Sequence, residues 1–234
     1  MIPRSLVIMP TYNERELLMG SVQALREFVP EVDLLIVDDN SPDGTGLIAD
    51  QLRDNRTFVL HRNKKGGLGS AYLAAFEWAK SRNYEIVVEM DADGSHRASD
   101  LPKILEALDG ADLAIGSRWV SGGRVVNCPW YRIFISKVGI PYARKMLRTD
   151  LKDMTAGFRA YRMSALKRIS LSNVSAQGYA FQIEMALKIL RSGSRVVEVP
   201  ITFIERSEGV SKMTTAIVLE ALWLVAKWSF YKSA

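Results

Sequence analysis

The chain has 234 residues, 48% of them hydrophobic and 24% charged, which is the composition of a folded protein with a substantial core. Its single cysteine, Cys128, excludes an internal disulfide and fits a reducing compartment. No charged amino-terminal segment precedes a long apolar run, and no uncharged apolar run reaches roughly 18 residues. We therefore expect neither a secretory signal nor a classical membrane span.

The net charge of +5 conceals an asymmetry between the two halves of the chain. Residues 1–117 carry 12 basic and 19 acidic side chains, whereas residues 118–234 carry 19 basic and 7 acidic ones. A basic half attracts anionic partners. Because its cations are dispersed and no nucleic-acid-binding motif accompanies them, we expect a membrane surface or a phosphate and no nucleic acid. The alternative is a solvated basic face without a ligand.

Short apolar runs alternate with helical patterns along the first half. Strands are predicted at residues 6–9, 34–37, 57–60, 86–90 and 113–115, and helices at 16–28, 44–52, 68–81 and 98–108. This alternation predicts right-handed βαβ units, hence an α/β fold with a mostly parallel sheet flanked by helices. In such sheets ligands bind beyond the carboxyl ends of the strands.

The fourth predicted strand ends in two carboxylates, Asp91 and Asp93, followed by Gly94 and Ser95. Residues i and i+2 of an extended chain project to the same face, and adjacent like charges repel unless a cation lies beside them. Hard cations such as Mg²⁺ or Mn²⁺ bind one or two carboxylates and complete their shell with water and phosphate oxygens. The stretch therefore indicates a metal–diphosphate site; a plain turn at Asp93 and Gly94 is the alternative.

The ends of the other predicted strands are also polar or glycine-rich. After the first two strands come Tyr12, whose ring suits stacking, and Asp39, whose carboxylate can accept hydrogen bonds from a base or ribose. Glycines 66, 67 and 69 allow a ligand to approach the backbone at a helix start. The phosphate-loop and dinucleotide fingerprints are both absent. A nucleotide held without either motif, with a metal on its diphosphate, points to a nucleotide-sugar.

Four segments, in this order and spacing, resemble the family 2 glycosyltransferases of the GT-A fold, and more narrowly the dolichol-phosphate and polyprenol-phosphate mannose synthases. They are Pro-Thr-Tyr-Asn-Glu at 10–14, Val-Asp-Asp-Asn-Ser at 37–41, Lys-Gly-Gly-Leu-Gly at 65–69 and Met-Asp-Ala-Asp at 90–93. The likeness covers roughly residues 5–212. It implies that the donor nucleotide contacts Pro10, Tyr12, Glu14, Val37, Asp39, Asp91, Ala92 and Asp93.

The resemblance also implies that Asp91, Asp93 and Ser95 hold Mg²⁺ or Mn²⁺ with the diphosphate. Many relatives have glutamine where this chain has Ser95, a shorter ligand that can act through a water molecule. Arg206 and Lys212, on the segment after predicted strands at 195–199 and 201–205, match family positions that contact the donor. We expect this segment to close over the diphosphate and neutralise the charge of the leaving group.

The acceptor side lies in the basic second half. Arg118 follows the fifth predicted strand, and Arg132 and Ser136 share one face of a predicted helix because they are four residues apart. Guanidinium groups suit phosphate oxygens, and the resemblance implies that these three residues bind the acceptor phosphate. The alternative is an exposed arginine and a helical serine without a ligand. Residues 153–159 match a family segment expected to turn into a strand on the acceptor side.

Residues 213–234 have a helical pattern rich in large apolar side chains, interrupted by Glu220 and Lys227. The pattern is short for a membrane span and fits an amphipathic helix at a membrane surface. Packing on the protein's own core or on a partner is the alternative. We therefore expect a glycosyltransferase domain at 1–212 and a docking helix at 213–234, which contacts the cytoplasmic face of the membrane or a membrane partner protein.

The resemblance implies an inverting transfer of mannose from GDP-mannose to a polyprenyl monophosphate. The expected catalytic residues are Asp91, Asp93, Arg118, Arg206 and Lys212. Because a phosphate monoester is already ionised near neutral pH, we expect no dedicated general base. Three alternatives remain at this point: glucose transfer from UDP-glucose to the same acceptor, a non-catalytic nucleotide-sugar-binding membrane adaptor, and a hydroxyl-accepting polysaccharide synthase.

Overall fold

The computed structural model describes residues 3–174, 176, 178–205 and 215–230. Within these residues nine strands form two sheets: β1 (Ser5–Thr11), β2 (Asp33–Asp38), β3 (Thr57–His61), β4 (Ile86–Glu89), β5 (Leu113–Ser117), β6 (Arg124–Val126), β7 (Arg159–Arg162), β8 (Val196–Pro200) and β9 (Thr202–Ile204). The large sheet has the order β3-β2-β1-β4-β7-β5-β8, and β6 pairs with β9. The predicted α/β class and mostly parallel sheet are confirmed.

One strand runs against the others. Strand β7 pairs antiparallel with β4 on one side and with β5 on the other, while the remaining pairs of the large sheet are parallel. Its sequence, Arg-Ala-Tyr-Arg, lacks the apolar run that marks a buried strand. Hydrophobicity therefore identified β1 to β5 but gave no sign that a further strand separates β4 from β5.

Helices cover both faces of the sheet. Within the described residues they are α1 (Leu18–Phe28), α2 (Thr45–Gln51), α3 (Leu68–Lys80), α4 (Leu101–Glu106), α5 (Trp130–Leu147), α6 (Met163–Lys167), α7 (Gly178–Arg191) and α8 (Thr215–Phe230). Helix α1 begins at Leu18 and not at residue 16, because residues 15–17 form a turn closed on the Glu14 carbonyl. The helix predicted at 98–108 is broken by short 3₁₀ turns before and after α4.

The period of the strands divides the core in two. Leu6 and Ile8 of β1 pack on one side with α3, α5 and α7, whereas Val7 and Met9 pack on the other side with α1 and α4. Alternate residues of a strand project to opposite faces, so a strand covered on both faces is apolar throughout. The sheet is thereby buried on both faces. The polar residues lie at the carboxyl ends of its strands, where the candidate site is.

The small sheet connects the turn after β4 with the second half of the chain. The Ile204 amide of β9 donates a hydrogen bond to the Ser95 carbonyl at 3.0 Å, and His96 forms an antiparallel bridge with Phe203. The partner strand, β6, leads into α5. The candidate metal-binding turn and the candidate acceptor helix are therefore attached to the same two strands.

Helix α8 has one face on the protein and one in solvent. Val225 is buried, the Tyr142 hydroxyl donates to the Leu222 carbonyl at 3.3 Å, and Arg191 donates to the Trp228 carbonyl at 2.9 Å. Trp223 and Phe230 are 62% and 82% exposed. The described part of the predicted docking helix thus packs on the protein's own core and also presents large apolar side chains to its surroundings.

Candidate functional site

The two aspartates that follow β2 have different surroundings. Asp38 accepts hydrogen bonds from the Thr11 hydroxyl at 3.0 Å and from the Ser41 hydroxyl at 2.6 Å, so it closes the turn between strand ends. Asp39 is buried and accepts from the Arg62 guanidinium at 2.5 Å and from the Gly66 amide at 2.9 Å. Asp39 is therefore tied to the glycine-rich segment rather than to its own turn.

Tyr12 lies against the same glycine-rich segment. The Lys65 ammonium is 3.9 Å from the centroid of the Tyr12 ring, within the range of a cation–π contact. The ring predicted to stack on a base is thus covered on one face by a lysine. Arg62 and Lys65, which sequence reasoning did not assign to the donor site, join Asp39 and Tyr12 into one group at the ends of β1, β2 and β3.

Two of the predicted donor-binding residues have side chains that are buried in the core. The Val37 side chain is fully buried in the core on the α3 side of the sheet, and the Ala92 side chain is buried in the core on the α1 side. Any contact of these two residues with a ligand beyond the strand ends would therefore use backbone atoms, and both donor positions stay predictions. Pro10 is half-buried and Glu14 is buried at the start of the turn before α1.

The turn after β4 is held by its own hydrogen bonds. The Asp93 carboxylate accepts from the Ser95 amide at 3.0 Å, and Gly94 has a φ of 75°, which a residue with a side chain adopts only with strain. Asp93 therefore forms the predicted turn, and its carboxylate is held within that turn. The two alternatives set out for this stretch are compatible with one another.

His96 forms a hydrogen bond with the backbone of Asp91. Its Nδ1 accepts a hydrogen bond from the Asp91 amide at 3.0 Å, which places the proton on Nε2, 3.9 Å from the Asp91 carboxylate. The imidazole is buried, with ring centroids 5.0 Å from Phe158 and 5.8 Å from Phe203. Metal-ligand spacing gave no hint of this role, because His96 acts on the backbone of the turn.

The chemistry of this turn fits a hard divalent cation. Asp91 and Asp93 present carboxylates, and the buried Ser95 hydroxyl has no hydrogen-bond partner within the described part of the chain. All three groups are oxygen ligands, which Mg²⁺ and Mn²⁺ prefer. Among the described residues, no three His, Cys, Asp or Glu side chains are placed to hold a metal ion together. A cation at this turn would therefore take water and phosphate oxygens as its remaining ligands.

Arg118 is held by a buried carboxylate. Its backbone amide, Nε and one terminal nitrogen donate to Asp153 at 2.9, 2.8 and 2.7 Å, and the terminal nitrogen also donates to the Thr155 hydroxyl at 2.9 Å. Asp153 is fully buried. Sequence reasoning assigned the 153–159 segment to the acceptor side without identifying this pair. The Arg118 fork is therefore fixed in place by Asp153.

The remaining predicted acceptor and donor residues are only partly described. Ser136 is half-buried in the second turn of α5, four residues after the backbone of Arg132. The side chain of Arg132, and Arg206 and Lys212 entirely, lie outside the described residues. The structure thus brings the candidate metal-binding turn and Arg118 together at the carboxyl ends of the parallel strands and leaves these three positions as predictions.

Comparison with known proteins decides the family. The family model described as glycosyl transferase family 2 matches residues 6–170, which include both candidate carboxylates and Arg118. The chain belongs to this family. As a family 2 glycosyltransferase it has the enzyme class that the resemblance predicted.

Two relatives are similar over almost the whole chain. A polyprenol monophosphomannose synthase of Mycolicibacterium smegmatis is 52% identical over 96% of this chain and 86% of the relative. An undecaprenyl-phosphate mannosyltransferase of Micrococcus luteus is 52% identical over 96% of this chain and 93% of the relative. The resemblance to polyprenol-phosphate mannose synthases is therefore confirmed.

A solved structure supports the fold of this glycosyltransferase. A mannosyltransferase from Pyrobaculum calidifontis, in complex with GDP-Man and Mn²⁺, aligns with a TM-score of 0.61 at 22% identity, covering 88% of this chain and 57% of that one. At this identity the likeness concerns the fold alone. It agrees with the expected GT-A architecture.

The Arg118–Asp153 pair generates a prediction about stability. Changing Asp153 to Asn removes the partner of a mostly buried guanidinium, and breaking a buried ion pair costs about 3–5 kcal/mol in the free energy of unfolding. Urea denaturation measures this loss. The matched control is Asp150→Asn, which removes an exposed carboxylate 3.4 Å from Arg144 and should leave the unfolding midpoint unchanged. Equal midpoints for both variants would contradict the structural role of Asp153.

Proposed function

We propose that this glycosyltransferase transfers mannose from GDP-mannose to a polyprenyl monophosphate and inverts the anomeric centre. The observation that carries the proposal is 52% identity to the polyprenol and undecaprenyl relatives over 96% of the chain. In addition, Asp91, Asp93 and Arg118 follow the carboxyl ends of two strands of the same sheet. The donor sugar and the acceptor lipid come from the names of those relatives. Residues 1–212 would form the catalytic domain.

The donor would bind across the ends of β1, β2 and β4. Tyr12 and Asp39 would hold the base and ribose after exchanging their contacts with Lys65 and Arg62, and Asp91, Asp93 and Ser95 would hold Mg²⁺ or Mn²⁺. A bound divalent cation neutralises charge on the departing diphosphate. Arg206 and Lys212, by resemblance, would contribute further positive charge on that side.

The acceptor phosphate would be bound by Arg118, Arg132 and Ser136. An oxygen of this phosphate forms a bond to the anomeric carbon while the bond between that carbon and the diphosphate oxygen breaks on the opposite face. Because the phosphate monoester is already ionised, no side chain needs to remove a proton. Asp153 contributes by holding the Arg118 fork in one orientation.

A transfer assay tests the donor and the carboxylates together. Wild-type protein, polyprenyl phosphate and Mn²⁺ are incubated with radiolabelled GDP-mannose or UDP-glucose, and label is counted in the lipid phase. We expect mannolipid, reduced at least about 100-fold by Asp93→Ala because an electrostatic contact to the leaving group is lost.

The control for that assay is Asp109→Ala, which removes an exposed carboxylate from the 3₁₀ turn after α4 and should transfer mannose at the wild-type rate. Glucolipid in place of mannolipid would keep the mechanism and overturn the donor. Undiminished mannose transfer by the Asp93 variant would contradict the assignment of the carboxylates.

The support of Asp91 by His96 predicts an effect on metal affinity. In His96→Phe the ring still stacks on Phe158 and Phe203, but the acceptor of the Asp91 amide is lost. Removing such an outer support typically weakens metal binding 10–100-fold. Calorimetric titration of Mn²⁺ with GDP present measures the change. His61→Phe, which removes an exposed imidazole bonded to Asp50, is the control and should bind Mn²⁺ normally; equal affinity in both variants would rule out the role of His96.

We further propose that α5 and residues 213–234 rest on an anionic membrane surface. Trp130, Phe134 and Val138 are spaced by four residues along α5 and are 57–79% exposed. Basic side chains accompany them: Lys137, Arg144 and Lys145 lie on α5, Arg148 follows α5, and Lys227 lies on α8. Apolar side chains flanked by cations are typical of interfacial helices. Within the described ranges, no helix has both the length and the apolarity needed to cross a bilayer.

Vesicle sedimentation tests this membrane contact. The double variant Trp130→Ser, Phe134→Ser should lose most of its binding to phosphatidylglycerol vesicles, because it removes buried apolar area from the contact. Leu47→Ser, which removes a side chain 70% exposed on α2, is the matched control and should bind as the wild type does. Equal loss in both variants, or no loss in either, would reject this face.

A further inference from the structure

Gly157 lies opposite the carboxylate of Asp91. If a methyl group replaced one of its hydrogens, the three nearest described atoms outside residues 156–158 would be His96 Cε1 at 3.5 Å and the two Asp91 carboxylate oxygens at 3.8 and 4.0 Å. The carboxylate carbon is no nearer than these oxygens, so the methyl group would face the oxygen edge of Asp91. Hard cations bind carboxylates at that edge. Gly157 is half-buried and the Asp91 side chain is 33% exposed, so a ligand can reach both from solvent.

The backbone conformation at position 157 does not require a glycine. The φ of Gly157 lies outside the left-handed region, so a residue with a side chain can adopt the same conformation. At such a position alanine usually stabilises a protein relative to glycine, because it restricts the unfolded chain. The choice of glycine at 157 therefore needs another reason.

Crowding by the protein does not supply that reason. Contacts of 3.5–4.0 Å are ordinary van der Waals distances, so a methyl group on Gly157 would fit without displacing protein atoms. Gly123 shows the opposite case, because a methyl group there would lie 2.6 Å from the Ser117 carbonyl oxygen. Close packing thus explains Gly123 but not Gly157. What a side chain at 157 would obstruct is the approach of a ligand to Asp91.

The backbone on both sides of Gly157 is fixed to the large sheet. Arg159 of β7 donates to the Ala156 carbonyl at 2.6 Å, and the Gly116 amide of β5 donates to the Phe158 carbonyl at 2.8 Å. Arg159 and Phe158 are both fully buried. Because these contacts hold the segment in place, a side chain added at 157 would extend towards the candidate metal-binding turn instead of withdrawing from it.

We propose that Gly157 is a positioning residue that leaves room beside Asp91 for a divalent cation and the phosphate oxygens bound to it. The inference rests on the proposed function, to which the cation and the diphosphate belong. Hard cations keep several oxygen ligands around them, and these ligands need space in front of the carboxylate. A hydrogen at 157 leaves that space, whereas a methyl group or a larger side chain narrows it. Gly157 contributes no side-chain ligand of its own.

Calorimetric titration of Mn²⁺ with GDP present tests the proposal in the wild-type protein, Gly157→Ala and Gly157→Val. We expect the Mn²⁺ affinity to fall at least about 5-fold in Gly157→Ala, which is the lower end of what overpacking a filled site usually costs. It should fall further in Gly157→Val, because the valine side chain is larger.

Thermal unfolding separates this effect from a loss of folding. The Tm of Gly157→Ala should stay level or rise, because the methyl group fits the protein's own packing and restricts the unfolded chain. Gly20→Ala is the matched control. Gly20 is exposed on α1, and a methyl group there would meet no described atom within 4 Å apart from its own helix backbone. This variant should bind Mn²⁺ as the wild type does, with a level or higher Tm.

Unchanged Mn²⁺ affinity in both Gly157 variants would overturn the proposal while leaving the donor site in place. A Tm that falls in Gly157→Ala together with the Mn²⁺ affinity would make Gly157 a packing position and also reject the proposal. Wild-type protein that binds no Mn²⁺ in the presence of GDP would overturn the metal site of the proposed function, and with it this role of Gly157. The wild-type titration therefore distinguishes the two failures.

Discussion

The structure depends on bringing two carboxylates to the end of a strand that is otherwise buried. Asp91 and Asp93 follow β4, whose residues are all buried and which lies in the middle of the large sheet. Like charges in such a place are tolerated only where the backbone is held firmly and a counter-charge can enter. His96 accepts a hydrogen bond from the Asp91 amide, and Asp93 closes the turn onto Ser95. In the proposed function a cation bound with its diphosphate supplies the counter-charge.

The second half of the chain is built around that turn. Strand β9 hydrogen-bonds to Ser95, Phe203 packs on His96, and the Arg118 guanidinium lies 5.4 Å from the centroid of the same Phe203 ring. The proposed donor and acceptor sides therefore share one aromatic side chain. Asp153 fixes Arg118, and Arg159 of β7 hydrogen-bonds to the segment after Asp153. Buried contacts therefore connect Arg118 with the large sheet.

Sequence alone predicted the features that depend on local pattern. Apolar runs located β1 to β5. The polar residues after them indicated the candidate site, because ligands bind beyond the carboxyl ends of parallel strands. The apolar pattern did not identify β7, since its polar ends give no apolar run; only the resemblance indicated a strand after the 153–159 segment. The roles of His96 and Asp153 depend on partners 5 and 35 residues away, and no spacing rule predicts such tertiary contacts.

The central claim is that Asp91 and Asp93 hold a divalent cation against the diphosphate of GDP-mannose. Calorimetric titration of GDP-mannose into the protein tests it most directly, once with Mn²⁺ and once with EDTA, using Asp91→Asn, Asp93→Asn as the paired variant. We expect binding that is strong with Mn²⁺, weak in EDTA, and weak under both conditions in the variant. Metal-independent binding of the same strength in all four titrations would contradict it.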